Sequence, residues 1–156
     1  MNILNVVFIT TCQGFHTSSH RSLWCAFIRR YLYMKRHIKD PGSAITHFIG
    51  MLMAIFAAVP LLIKAASEPS RIYLISLGIY ALSLVLLYAA STSYHTFDIS
   101  EKVNTILKKI DHMMIFVLIA GSYTPICLLV LEQRTGILLL SLVWGIAIAG
   151  ILIKAF

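Results

Sequence analysis

Four long stretches of this chain contain no Asp, Glu, Lys or Arg: Pro41 to Ile63, Ile72 to Phe97, His112 to Leu131 and Thr135 to Ile153. Each holds about 20 residues or more, the length a helix needs to cross roughly 30 Å of hydrocarbon. The apolar–polar alternation of a membrane barrel is absent from them, and only helices and closed barrels satisfy their own backbone hydrogen bonds in lipid. The expected fold is therefore all-α, a polytopic transmembrane helix bundle with four spans, near 43–65, 71–93, 112–131 and 136–156. Composition agrees. The chain is 59% hydrophobic and 12% charged, with mean hydropathy +0.86, too little charge to cover a soluble domain of this length.

The formal net charge is +7. No aromatic–basic interleaving or nucleic-acid motif accompanies it, so nucleic acid is not an expected partner. The charges instead mark topology. Arg21, Arg29, Arg30, Lys35, Arg36 and Lys39 precede the first span, Lys102, Lys108 and Lys109 lie between the second and third, and Lys154 is near the end. The other side of a serial bundle carries Lys64, Arg71 and Arg134. A balance of ten against three places the N-terminus in the cytosol. Membrane lipids are the expected partners. Cys12, Cys25 and Cys127 are odd in number and lack metal or redox spacing, so they read as free thiols.

Residues 1–39 form a basic N-terminal arm without a single acid. Its apolar start, MNILNVVFI, is too short to span and lacks the basic lead of a secretory signal. The composition also suits a transit peptide, or an arm lying on anionic lipid. The expectation carried forward is a start at Met34, which makes MKRHIKDPGSAITH a basic lead-in to the first span.

Polar residues collect at particular helix ends. Ser43 and His47 open the first span, Ser91, His95 and Asp98 close the second, and Asp111 and His112 open the third. In an up-down bundle these ends share one side. Ser91 and His95 are four residues apart, as are Ser43 and His47, so each pair shares a helix face. Between the second and third spans, Val103, Ile106, Leu107 and Ile110 form an apolar stripe, which predicts a short interfacial helix leading Asp111 back toward His95. Ionisable groups near lipid are costly and face the bundle interior. A His-plus-Asp set there fits a metal site or a proton relay; it also fits ordinary interfacial residues. Zinc accepts neutral His and carboxylate. Pro60 and Pro125 each remove a backbone donor and are expected to bend their helices, while Gly121 and Ser122 admit close packing. Met51, Met53, Met113 and Met114 read as packing residues rather than copper ligands.

The segments DPGSAITHFIG, LVLLYAASTSYHTF, LKKIDHMMIFVLIAGSYTPICLL and VWGIAIAGILIKAF resemble, in that order, the hemolysin III family, the bacterial branch of the progestin and adipoQ receptor superfamily. The resemblance runs from about Asp40 to Phe156. It implies a bundle of seven membrane helices with a cytosolic N-terminus in a bacterial plasma membrane. It implies a zinc ion near the cytosolic face, with His95 as a ligand and Ser91 and Asp111 supporting a bound water. It further implies hydrolysis of ceramide-like lipid amides, with Asp111 as proton acceptor. The H-x-x-x-H pair that supplies the family's other two His ligands does not occur in this sequence. The expectation is therefore a truncated member with a partial zinc site, inactive by itself. A second expectation follows from the family's name: a cytolysin whose homo-oligomers form pores.

Overall fold

The computed structural model describes residues 38–156. The Met34 start, Cys12, Cys25 and the arm up to His37 lie outside the described residues. Four helices follow: α1 (Pro41–Ala66), α2 (Arg71–Thr96), α3 (Glu101–Pro125), which runs on into a π-helical turn at Ile126–Val130, and α4 (Gln133–Ala155). All four are long and apolar enough to cross a membrane, and the described residues contain no strand.

The helix starts follow local chemistry. Pro41 occupies the first turn of α1, behind Asp40 at the N-cap; its fixed φ is already helical and its missing N–H would have had no partner there. The Ser70 hydroxyl accepts from the Ile72 N–H, and the Ser100 hydroxyl from the Val103 N–H, each at 3.4 Å. These bonds occupy N–H groups that a helix start otherwise leaves open. One expectation is corrected. The amphipathic segment after Ser100 and the third span form one unbroken helix from Glu101. No Gly or Pro separates them, and an apolar stripe at helical spacing continues directly into an apolar run.

The two internal prolines behave differently. α1 runs through Pro60 without a break in its helical assignment. At Pro125 the lost N–H removes a helical bond, and the backbone widens into the π turn, where the Leu131 N–H donates to the Ile126 carbonyl at 3.2 Å.

Consecutive helices pack against one another, α1 on α2, α2 on α3 and α3 on α4. The buried positions are small: Ser76 and Ser83 on α2, Ala120, Gly121 and Thr124 on α3, Ala147 on α4. Lipid tails are as apolar as Leu, so burying large apolar groups between helices gains little, and close contact of small residues does the packing. Two buried hydroxyls are bonded within their own helices, Ser83 donating to the Tyr80 carbonyl at 2.7 Å and Thr124 to Ala120 at 2.8 Å, whereas the buried Thr92 hydroxyl has no hydrogen-bond partner among the described residues. Large apolar side chains point outward, with Phe56 74%, Val130 75% and Ile153 81% exposed, as a lipid-facing surface requires. Met53, expected as a packing residue, lies on that surface at 67% exposure.

Two contacts fix which helix ends meet. The Asp40 N–H donates to the His95 carbonyl at 2.9 Å, joining the start of α1 to the end of α2. The Lys109 ammonium donates to the Ala155 carbonyl at 2.8 Å, joining the first part of α3 to the end of α4. The short connection from Phe97 to Ser100 ties α2 to α3. All four ends therefore lie on one side of the bundle, the side that carries the polar residues.

Candidate functional site at the polar end of the bundle

A helix leaves its last carbonyls without partners. In α2 the residues just before α1 supply the donors: Asp40 N–H reaches the His95 carbonyl at 2.9 Å and Lys39 N–H the Thr96 carbonyl at 3.4 Å. This backbone clamp brings the Asp40 side chain to His95, with carboxylate Oδ2 3.4 Å from ring Nδ1. The Ser43 hydroxyl donates to the same Oδ2 at 2.7 Å. That bond first, and the nearby His95 second, hold the Asp40 carboxyl below its ordinary pKa despite some opposing desolvation. The His95 side chain is 23% exposed and that of Asp40 51%, so the ring is inside the polar end and the carboxylate at its edge.

The His47 ring stacks on His95, with centroids 5.5 Å apart and planes 13° from parallel. Tyr94 meets His95 edge-on at 4.9 Å, and Tyr88 lies 6.0 Å from His47. The Lys39 ammonium sits 3.8 Å over the Tyr94 ring, a cation–π contact that holds the entry to α1 against the end of α2. Beside this cluster a cleft of about 450 Å³ opens between α1 and α2, lined mainly by Ile45, Phe48 and Met51, with Thr92, Ser93 and Thr96 as polar members.

The expected site residues are distributed as follows. His95 is at the centre of the cluster. Ser91 is buried one turn earlier on α2. Asp111 is on α3, its side chain 14% exposed, with His112 Nδ1 at 4.0 Å as its ion-pair partner. Among the described residues the carboxylate that faces His95 is that of Asp40, not that of Asp111. His112 turns its Nδ1 to the Lys108 carbonyl of its own helix at 2.7 Å. Asp98 accepts from Asn104 Nδ2 at 2.7 Å across the α2–α3 connection.

Asp40 is a site residue that the sequence alone does not single out. Its place before Pro41 marks a helix start, but its backbone N–H meets the end of α2, the span that carries His95.

The resemblance implies zinc, and the described residues can be compared with what zinc needs. Among the described residues no three His, Cys, Asp or Glu side chains gather to hold one metal ion. His47 and His95 are stacked with near-parallel rings 5.5 Å apart, whereas zinc needs nitrogens that converge on a point about 2.0–2.1 Å from each. His95, with a carboxylate behind its Nδ1, has the form of one zinc ligand.

The comparisons with known proteins identify the family. The profile of the family described as "Haemolysin-III related" matches residues 35–156. The chain is 45% identical over 118 residues to "Hemolysin-3 homolog" of Bacillus subtilis (strain 168), covering 76% of this chain and 55% of the relative. It is 36% identical over 124 residues to "Hemolysin-3" of Bacillus cereus, covering 79% of this chain and 56% of the relative. The match thus spans about half the length of these curated relatives. No solved structure matches. Four membrane-length helices and a family match over most of the sequence lead to one conclusion: the chain is an integral membrane protein that belongs to the Haemolysin-III related family.

Proposed function

We propose that the chain supplies one part of a zinc site of the lipid-amide hydrolase type, with His95 as a ligand and Ser91 and Asp111 as its polar support, and that it is inactive by itself. The observation that carries this reading is the His95 ring, mostly buried, backed by Asp40 at 3.4 Å and placed beside an apolar cleft suited to a lipid chain. A catalytic zinc takes three protein ligands and keeps a position for water, so further ligands must come from outside the described residues. Bound zinc would polarise a carbonyl and acidify a water. The chain's own contributions would be a nitrogen ligand from His95, a hydroxyl from Ser91 near it, and a carboxylate from Asp111 to accept a proton. The excess of Lys and Arg before the first span and between the second and third supports a cytosolic N-terminus, and the Bacillus relatives support a bacterial plasma membrane.

The test is zinc added in excess to the ¹⁵N-histidine-labelled chain in detergent, with His95→Ala to identify the His95 signals. A zinc-dependent shift of the His95 Nε2 signal supports the reading. No shift of that signal at saturating zinc overturns the assignment of His95.

The relatives' printed names, "Hemolysin-3 homolog" and "Hemolysin-3", favour a second reading, a homo-oligomer that forms pores. Reconstitution into dye-loaded liposomes tests it. Absence of leakage at high protein density removes this reading.

A further inference from the structure

We propose that Asp40 is a positioning residue for His95: it fixes the ring's orientation and keeps the proton on Nδ1, so that Nε2 is the nitrogen offered to a ligand. The functional meaning of this step rests on the partial zinc site proposed above; the geometry itself does not.

Asp40 addresses His95 twice. Its N–H donates to the His95 carbonyl at 2.9 Å, which sets the backbone separation. Its Oδ2 then lies 3.4 Å from Nδ1 of the same residue. A carboxylate has only acceptors, and a bare Nδ1 facing it would set lone pair against lone pair. The nitrogen that faces Asp40 therefore carries the hydrogen, and Nε2 of the neutral ring keeps its lone pair. Asp40 is itself held. Ser43 donates to Oδ2 at 2.7 Å, and Pro41 disfavours helical backbone for the residue before it, where Asp40 has φ −143° and ψ 88°. One face of the ring is packed by His47, and Tyr94 meets the ring edge-on, so it has little room to flip. A carboxylate behind a histidine is the usual outer support of a metal-ligating imidazole.

The test reads the ring nitrogens directly. The full chain, labelled with ¹⁵N-histidine and purified in detergent without metal, is measured by NMR at a pH where His95 is neutral, with His95→Ala to identify its signals. The expected result is hydrogen on Nδ1 and a bare Nε2 in the wild type, a change toward Nε2–H in Asp40→Ala, and recovery in Asp40→Glu. Zinc titration of the same samples is expected to show affinity lowered about 10- to 100-fold in Asp40→Ala. A wild-type ring with Nε2–H, or one that Asp40→Ala leaves unchanged, overturns the proposal. Asp40 acting only as a helix cap would move stability and leave the tautomer alone. Should Asp40→Ala fail to fold, Ser43→Ala, which loosens the carboxylate without removing it, is expected to shift the tautomer in the same direction, and no shift there overturns the proposal. A wild type that shows the Nδ1–H tautomer and binds no zinc sinks the proposed function and leaves the role of Asp40 intact.

Discussion

The indole N–H of Trp144 donates to the Thr124 hydroxyl oxygen at 3.2 Å, across the α3–α4 contact. Thr124 is 2% exposed and gives its own proton to the Ala120 carbonyl at 2.8 Å. One hydroxyl is thus a donor within α3 and an acceptor from α4, just before the π turn. Trp144→Phe keeps most of the bulk and removes the interhelical bond. It should cost about 0.5–1.5 kcal/mol, nearer the low end because membrane hydrogen bonds average about 0.6 kcal/mol. Thr124→Val leaves the indole N–H without its partner and should cost more, about 1–3 kcal/mol. Unfolding in mixed micelles of rising SDS fraction measures both.

A Cβ added to Gly121 would come within 2.8 Å of the Ser83 Cβ, and closer still to its hydroxyl. The Ser83 Cβ cannot rotate away, because it is fixed to the α2 backbone. Gly121→Ala must therefore push α2 and α3 apart, at about 1–3 kcal/mol. Ser83→Ala leaves the Cβ in place and should not relieve the clash. Ser83→Gly removes it and should rescue Gly121→Ala. A double-mutant cycle in SDS should show coupling of about 0.5–3 kcal/mol between the two sites. No coupling would mean that the helices separate more easily than this contact suggests.

Gly78 and Gly145 are the contrasting case, since nothing lies within 4 Å of a Cβ added to either. Each is inside a helix, where Gly is less favourable than Ala by about 0.8–1.0 kcal/mol. Gly78→Ala and Gly145→Ala should raise stability by up to about that amount in the same SDS assay. A loss at either position would reveal a partner at that face.

The spans were legible because lipid imposes a crude rule, a long run without charge. The rule locates the apolar part of a helix and not the helix itself. This is why the third span was expected near 112 with a separate short helix before it, whereas α3 runs unbroken from Glu101; a change from an amphipathic stripe to an apolar run reads as a boundary even where the backbone is continuous. The close packing at Gly121 was legible as a small residue inside a span. Pro125 was legible as a disruption, but its form, a π turn closed by Leu131, depends on where the released backbone groups find partners. His95 was legible from its place after an apolar run. Its partner Asp40 was not, because the contact follows from one segment capping the end of another helix, which no spacing within either segment encodes.

Asp40 also makes a pH prediction. The Ser43 hydroxyl bond, with His95 assisting, places its carboxyl below the ordinary value of 3.8. A depressed carboxyl contributes stability that is fully present above the ordinary value and is lost as pH falls through the lowered one. ¹³C-carboxylate NMR with labelled Asp, assigned by Asp40→Asn, should therefore give a midpoint below 3.8 in the wild type. Ser43→Ala removes the largest cause and should move that midpoint upward. His95→Ala removes a smaller one and should move it upward by less. Asp40→Ala should abolish this group's share of the acid-dependent loss of stability while leaving stability near neutral pH little changed, since the carboxylate is half exposed and surface ion pairs contribute little. A midpoint at or above the ordinary value would mean that the Ser43 bond does not persist in solution, and the Asp40–His95 contact would then lose its anchor.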